Sequence, residues 1–523
     1  MQLHCRNISV DHRLPIGQGL KLMQDSIGKF DVLIVGGGVN GTGIARDASG
    51  RGLSVILCEK DDLASGTSSK ATKLFHGGLR YLEHYEFGLV RKALKEREVL
   101  LRNMPHIARP MRFILPHVKG MRPAWLLRIG LFIYDHLGGH RMLQGTKVLD
   151  LRTDEAGRPL KPHFRRAFEY SDGWVDDARL VVLNARDAAD RGARIVTRTR
   201  LVNARRNGDH WVTTLEDASG RETQLHCRIL VNAAGPWVNS VAEDALRQND
   251  HDPIRLVRGS HIVVRKLFDH DRAYFFQNGD GRIVFALPYE TDFTLIGTTD
   301  VDHTGATDAV VCTDAEQQYL CRAASEYFEH PVSVSDVVWS YAGLRPLDGD
   351  QGGKAAAASR DYHIHVGDQN GRAPLISIYG GKITTFRILA EQVVAEMAPY
   401  VGLNGLPWTD HSPLPGGDMA FDGLVDLVAK LQKRYDFLDE RTVGRIARAY
   451  GTRAFDMLGS VGTAQDMGQD FGAGLSAREV RWLVECEWAT TAEDIVWRRS
   501  KCGLRMSSEQ IARLDVWLKE HRT

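Results

Sequence analysis

The chain has 523 residues, of which 43% are hydrophobic, so it is long enough to bury sizeable cores and to divide into two or three domains. Lys and Arg total 67 against 66 acidic residues, and this balance excludes the strong positive field expected of a nucleic-acid-binding protein. Seven scattered cysteines without CxxC spacing exclude a disulfide framework and a cysteine zinc site, and they predict a reduced intracellular protein without metal ligands.

Residues 1–29 are predicted to be an N-terminal extension. The segment has charged residues throughout and no continuous apolar stretch, so it does not resemble a secretory signal. Two interpretations stay open for it. The natural start is either Met1, with a disordered arm, or Met23, which lies just before the first regular element.

A dinucleotide site is predicted where an apolar strand from Phe30 to Val35 meets the motif GGGVNG at 36–41. Gly36 permits the tight turn, Gly38 allows backbone N–H groups to approach phosphates, and Gly41 allows the following helix to pack on the strand. That helix directs its positive N-terminal end at the anion. A second strand delivers Glu59 at about the 20-residue spacing of a carboxylate that binds a ribose hydroxyl. The motif alone does not distinguish NAD from FAD.

Two loops downstream have the composition of ligand-binding loops. The first is a small-residue loop that contains Thr67, Ser68 and Ser69 and permits close approach by a ligand. The second is the motif HGGLRYLEH at 76–84, in which two glycines lie beside His76, Arg80 and Tyr81. A helical pattern then ends before Pro105.

The rest of the chain alternates between sheet patterns and helical patterns. Apolar strands resume after residue 170 and lead to a strand that ends near Gly235, where a sheet would meet a nucleotide. Short strands without long helices then predict an antiparallel sheet. Another strand ends in a diglycine turn that contains Gly381, and it leads into a helix. The predicted units are an extension (1–29), a dinucleotide-binding domain in three parts (30–104, 170–252 and 346–403), an insertion (105–169), an antiparallel substrate domain (253–345) and a helical domain (404–523).

Ordered motifs along the chain resemble one family, the FAD-dependent respiratory glycerol-3-phosphate dehydrogenases. The resemblance extends from about residue 30 to the C-terminus. Its motifs are GGGVNG (36–41), TSS (67–69), HGGLRYLEH (76–84), YSDGWVDDAR (170–179), GPW (235–237), GSH (259–261), GTTD (297–300), GLRP (343–346) and GGK (380–382). It implies an α/β fold with a Rossmann-like FAD-binding domain, an inserted antiparallel-sheet substrate domain and a C-terminal helical domain.

The resemblance also implies a reaction and its partners. The enzyme would oxidise sn-glycerol 3-phosphate to dihydroxyacetone phosphate, with FAD as cofactor, and would pass the electrons to ubiquinone or menaquinone. It would lie in the cytoplasm at the inner face of the membrane. Whether the protein forms a homodimer is left open. Two alternatives remain: an oxidase of the same flavoprotein family that delivers electrons to oxygen, and a dinucleotide-binding protein that is non-catalytic or uses NAD.

The candidate substrate residues follow from the chemistry of a phosphorylated alcohol. A phosphate dianion needs cationic donors in fixed geometry, and the planar fork of arginine binds two oxygens at once. Arg345 is the first candidate for this clamp and Arg360 the second, although a structural ion pair would explain either residue. The resemblance adds Arg80, Tyr81 and Lys382 as residues that face the substrate.

Hydride transfer from a secondary alcohol requires a base within hydrogen-bond reach of the hydroxyl. His76 and His261 both lie inside matched motifs, and a structural role would also explain each of them. Lys382 or Arg345 could instead stabilise the developing alkoxide. The cofactor-binding candidates are Gly36, Gly38, Gly41, Glu59, Thr67, Ser68, Ser69, Gly235 and Gly381.

Residues 123–137 form a largely apolar helical pattern, in which the two charged residues, Arg128 and Asp135, lie on one face. The segment is too short to span a bilayer. It therefore predicts either a monotopic anchor that lies in the membrane interface or a buried helix of the substrate domain.

Overall fold

The computed structural model describes residues 28–118, 123–139, 142–248, 252–348 and 361–521. Residues 1–27, with Met1 and Met23, and the candidate Arg360 lie outside the described residues. Gly28 and Lys29 were predicted to belong to the extension, but they begin the first strand of the fold. The side chain of the candidate Arg80 also lies outside them.

The described chain forms eighteen strands and twelve α-helices. The strands are β1 (Gly28–Val35), β2 (Val55–Cys58), β3 (Leu74–Phe75), β4 (Ala108–His117), β5 (Lys147–Asp150), β6 (Arg166–Val175), β7 (Arg194–Val196), β8 (Thr199–Asn207), β9 (His210–Asp217), β10 (Glu222–Asn232), β11 (Ile254–Arg265), β12 (Ala273–Gln277), β13 (Ile283–Tyr289), β14 (Phe293–Gly297), β15 (Val301–Asp302), β16 (Val337–Asp348), β17 (Tyr362–Gly367) and β18 (Leu375–Gly380). The helices are α1 (Val39–Gly50), α2 (Phe87–Asn103), α3 (Ala124–Leu137), α4 (Asp177–Asp190), α5 (Val238–Asp244), α6 (Asp314–Ser325), α7 (Phe386–Met397), α8 (Leu424–Arg434), α9 (Glu440–Tyr450), α10 (Ala454–Leu458), α11 (Ala477–Glu487) and α12 (Ser508–Glu520).

The first sheet has eight strands and a parallel centre. Its main order is β17-β18-β10-β1-β2-β7, and β8 and β9 extend it beside β10. The pairs from β18 to β7 are parallel, whereas β17 joins β18 in the antiparallel direction. Residues 32–35 of β1 are all buried, because apolar groups cover both faces of the strand. Val32 packs with α1, α4 and α7, and Leu33 packs on the opposite face.

The second sheet has ten strands and contains segments from distant parts of the chain. It runs β15-β11-β14-β13-β12-β4-β6-β3, with β16 beside β11 and β5 beside β6. All its pairs are antiparallel except β12 with β4. Residues 105–169 and 253–345 were predicted to be separate units, but the β12–β4 pair joins strands of both ranges in one sheet. Pro110 and Pro116 lie within β4 and concealed it in the sequence pattern.

The C-terminal residues 404–521 form a helical region with its own apolar core. Buried ion pairs connect this region to the first sheet and its helices. Asp62, which is fully buried, accepts hydrogen bonds from Arg498 at 2.6 Å and from Arg499 at 2.7 and 2.8 Å. Arg179 of α4 pairs with Glu487 of α11. The architecture as a whole confirms the predicted α/β class with a second sheet and a helical domain.

No helix among the described ranges combines the length and the apolar character needed to cross a bilayer.

Candidate active site

A cavity of about 870 Å³ lies between the two sheets. Three turns from the first sheet line it: residues 36–40 after β1, residues 233–237 after β10 and residues 380–384 after β18. Because β1, β10 and β18 are parallel neighbours, their carboxyl ends meet at one edge, where α/β sheets bind ligands. The second sheet contributes His261 and Arg345 to the opposite wall.

The glycine-rich turn after β1 brings backbone N–H groups and the start of α1 to the cavity. Gly36 has a φ of +109°, which favours glycine. A Cβ at Gly41 would lie 2.0 Å from the carbonyl oxygen of Gly36, so only glycine lets α1 approach the turn. At the first turn of α1, the Val39 N–H donates to Ser68 Oγ at 2.9 Å. The positive end of this helix suits a pyrophosphate.

Glu59 lies beside the glycine-rich turn, at the end of β2. Its Oε2 accepts a hydrogen bond from the Gly37 N–H at 2.6 Å, and its Oε1 accepts one from the Asp61 N–H at 2.8 Å. Burial raises the pKa of Glu59, and these two N–H groups oppose that change. The carboxylate is therefore fixed at the cavity wall, at the position where a nucleotide ribose is bound in this type of fold.

The structure brings most predicted cofactor residues to one cavity. Its lining includes Gly36, Gly38, Glu59, Thr67, Ser68, Gly235 and Gly381. Gly41 and Ser69 do not line it. Gly41 lies behind the turn, and the carbonyl of Ser69 accepts a hydrogen bond from Lys73 Nζ at 3.1 Å.

Arg345 lies on β16 and projects to the cavity. Its guanidinium forms an ion pair with Asp300 and donates from Nη2 to Thr298 Oγ1 at 2.8 Å. These contacts fix the plane of the guanidinium. No roles were predicted for Asp300 and Thr298, although both belong to the GTTD motif, which begins at the last residue of β14.

His261 lies on β11 and is almost completely buried. Its Nε2 is 2.9 Å from Thr72 Oγ1, and its ring stacks on Tyr341 with centroids 4.9 Å apart. Within the described part of the chain, its buried Nδ1 has no hydrogen-bond partner. Burial, followed by the charges of Arg345 and Lys73, lowers the pKa of His261 well below its ordinary value. The imidazole is therefore neutral near pH 7.

The candidates His76, Tyr81 and Lys382 line the same cavity. His76 follows β3, and its N–H donates to Thr384 Oγ1 at 3.2 Å. Lys382 Nζ lies 3.8 Å from the centroid of the Tyr81 ring, which is a cation–π arrangement. His76 and His261 therefore line the same cavity.

A buried ion pair behind the cavity was missed from the sequence. Lys73 Nζ donates to Asp177 Oδ1 at 2.7 Å, and it lies 5.2 Å from the centroid of the Tyr341 ring. Because Tyr341 stacks on His261, this pair supports the wall that carries the histidine. No local signal in the sequence indicated this pair, because Lys73 and Asp177 are 104 positions apart.

The comparisons with known proteins agree with this geometry. Residues 31–387 match the family described as FAD dependent oxidoreductase, and residues 407–516 match the C-terminal domain of alpha-glycerophosphate oxidase. A glycerol-3-phosphate dehydrogenase of Pseudomonas aeruginosa is 49% identical over 94% of this chain and 96% of its own length. A D-erythritol 1-phosphate dehydrogenase of Brucella abortus is 46% identical over 93% and 97%. The structure of a glycerol-3-phosphate dehydrogenase from Bacillus halodurans complexed with FAD has a TM-score of 0.75, 26% identity and coverage of 97% and 96%.

The fold and the cavity therefore define an FAD-dependent oxidoreductase. The glycine-rich turn, the helix N-terminus and the fixed Glu59 fit the pyrophosphate and ribose of FAD, which is the cofactor. Within this class, the chain belongs to the family of the FAD-dependent glycerol-3-phosphate dehydrogenases.

Replacing Gly41 tests the fit between the glycine-rich turn and the cofactor. We expect Gly41→Ala to be purified with much less FAD, because the new Cβ would clash with the backbone of Gly36 and displace the turn. The flavin absorbance per chain measures this loss. Gly402→Ala is the control, because a Cβ at this exposed position meets no atom within 4 Å. Equal flavin content in the two variants would contradict the prediction.

Proposed function

We propose that the chain oxidises sn-glycerol 3-phosphate to dihydroxyacetone phosphate and passes the electrons to a membrane quinone. The observation that carries this proposal is the position of Arg345, an oriented guanidinium on the cavity wall opposite the turns that suit FAD. The names of relatives that match almost the whole chain support the same substrate.

We assign Arg345 as the residue that binds the substrate phosphate. A guanidinium that Asp300 and Thr298 already orient loses little freedom when it binds two phosphate oxygens. Lys382, held over Tyr81, adds a second positive charge. This charge can stabilise the negative charge that develops on the C2 oxygen as its proton leaves.

We assign a histidine as the base that accepts the proton of the C2 hydroxyl. Neutral His261 carries a lone pair on one ring nitrogen and can accept this proton, and His76 is the alternative base. FAD, when bound, supplies the acceptor of the hydride from C2. Because His261 is almost completely buried, water is excluded from its imidazole when that ring holds the proton.

The test of the function is the visible spectrum of the purified protein under anaerobic conditions. We expect a flavin spectrum that glycerol 3-phosphate bleaches. D-erythritol 1-phosphate is the comparison substrate, because one relative of similar identity is named for it. Faster bleaching by D-erythritol 1-phosphate would show that this compound, and not glycerol 3-phosphate, is the preferred substrate. A colourless protein would favour the non-catalytic alternative. Turnover in air with a high yield of hydrogen peroxide would favour the oxidase over the quinone-linked enzyme.

The phosphate clamp can be tested with Arg345→Lys. The substitution keeps the positive charge but removes the planar guanidinium that binds two phosphate oxygens at once. At least one charge-assisted hydrogen bond is lost, and such a bond contributes about 1.5–3 kcal/mol. We expect the KM for glycerol 3-phosphate to rise about tenfold to hundredfold, measured by steady-state kinetics with an artificial electron acceptor. The matched control is Arg258→Lys, since Arg258 pairs with Glu316 and lies outside the cavity lining. If kcat and KM of Arg345→Lys both equal those of the wild type, the clamp is wrongly assigned.

We also propose that α3 contacts the membrane. Leu131 and Tyr134 of α3 are buried in the core, whereas Trp125, Ile129 and Phe132 are 65%, 49% and 61% exposed. The exposed residues recur at intervals of three to four positions, so they lie on one side of the helix. An apolar face of this kind suits the membrane interface, from which a quinone can be reached.

Flotation with liposomes tests the contact of α3 with the membrane. We expect Trp125→Glu and Phe132→Glu to reduce the fraction of protein that floats, because a charge at the interface opposes insertion of the apolar face. Val425→Glu is the control, since Val425 is 76% exposed on α8. Flavin content verifies folding. Unchanged flotation of both α3 variants would rule out this contact.

A further inference from the structure

Three side chains with metal-ligating atoms converge on the outer edge of the first sheet. β17 is the edge strand, and His363 and His365 occupy alternate positions on it, so both point to one face. Asp252 comes from another part of the chain, two residues before β11 begins. No metal ligands were predicted from the sequence, because Asp252 is more than a hundred residues from the two histidines and only the folded chain brings it to them.

The distances among the three side chains suit one small cation. His363 Nε2 and His365 Nδ1 lie 3.5 and 3.6 Å from Asp252 Oδ2. All three ligand atoms lie within 4.8 Å of one another. Tetrahedral zinc with bonds of about 2.0–2.1 Å separates its ligand atoms by about 3.3 Å. Small rotations of the three side chains are therefore enough to bring their ligand atoms to the spacing of a zinc site.

The carboxylate of Asp252 gives an independent indication of a ligand. The Asp252 side chain is 37% exposed, but its Oδ2 is shielded from solvent. Among the described residues this oxygen has no hydrogen-bond partner, and its contacts with the two imidazoles, at 3.5 and 3.6 Å, are long. A shielded carboxylate oxygen is normally bonded to a donor or a cation, so a cation between these groups would satisfy it. The segment is held in place, since Asn239 Nδ2 donates to the Asp252 carbonyl at 3.2 Å.

We propose that Asp252, His363 and His365 form a binding site for a divalent late transition metal of the Zn²⁺ class. Two imidazoles and one carboxylate favour such ions over Mg²⁺ and Ca²⁺, which prefer oxygen ligands alone. Both histidine side chains are about half exposed, so the ion has access and water can complete its coordination. None of the three residues lines the FAD cavity, so the site is separate from the catalytic one.

Occupation of this site would connect the two sheets. His363 and His365 belong to the first sheet through the pairing of β17 with β18. Asp252 leads directly into β11, the strand of the second sheet that carries His261. A bound ion would therefore fix the position of the edge strand relative to the start of β11. Metal binding should raise the thermal midpoint of the folded protein, because the unfolded chain lacks the site.

Isothermal titration of Zn²⁺ into the full-length, FAD-loaded, untagged protein tests the proposal. We expect one Zn²⁺ per chain, with affinity at least about tenfold lower in His363→Gln, His365→Gln and Asp252→Asn. The matched control is His411→Gln, because His411 is exposed beside Asp410 and, among the described residues, belongs to no group of three metal-ligating side chains. This variant should bind Zn²⁺ as the wild type does. Mg²⁺ should give no binding at this site.

The flavin spectrum shows whether each variant is folded. X-ray absorption of the Zn²⁺-loaded wild type gives a second measurement that needs no variant, and we expect two imidazole ligands with no sulfur. Wild type that takes up no Zn²⁺ would overturn the proposal. Equal binding by wild type and the His363→Gln/His365→Gln double variant would also overturn it, as would a zinc spectrum with thiolate ligands.

Discussion

The parallel pairing of β18, β10 and β1 is the constraint on which the site depends. Each strand is followed by a turn, and these turns are nearly 350 residues apart at their extremes in a chain of 523. Parallel neighbours place their carboxyl ends at one edge, so the three turns share one cavity. The helices α1, α4 and α7 pack on the same face and keep these strands in register.

Local features of the sequence were sufficient to predict the nucleotide end of the site. The strand, the glycine turn, the helix and Glu59 lie within a few dozen residues, and their geometry follows from backbone conformations that glycine permits. Gly235 and Gly381 were predicted from the same signal, a strand that ends in small residues.

Contacts between distant segments could not be predicted in this way. The pairing of β12 with β4 unites two ranges that the sequence analysis separated, and periodicity indicates a strand without indicating its partner. The pairs Arg345 with Asp300 and Lys73 with Asp177 likewise connect different elements. Arg345 shows how far a motif can predict the role of a residue. Its motif suggested a phosphate clamp or a structural ion pair, and in the folded chain the guanidinium forms an ion pair while it also faces the cavity.

The buried ion pairs of Asp62 with Arg498 and Arg499 bear on how such a protein can change during evolution. Replacing Asp62 alone would leave the buried Arg499 without the carboxylate that neutralises it, at a considerable cost in stability. Neutral residues in place of Arg498 and Arg499 would in turn leave the buried Asp62 without a counter-charge. The loop that carries Asp62 and the helical region are therefore constrained to change together, and electrostatics couples the substitutions on the two sides of this contact.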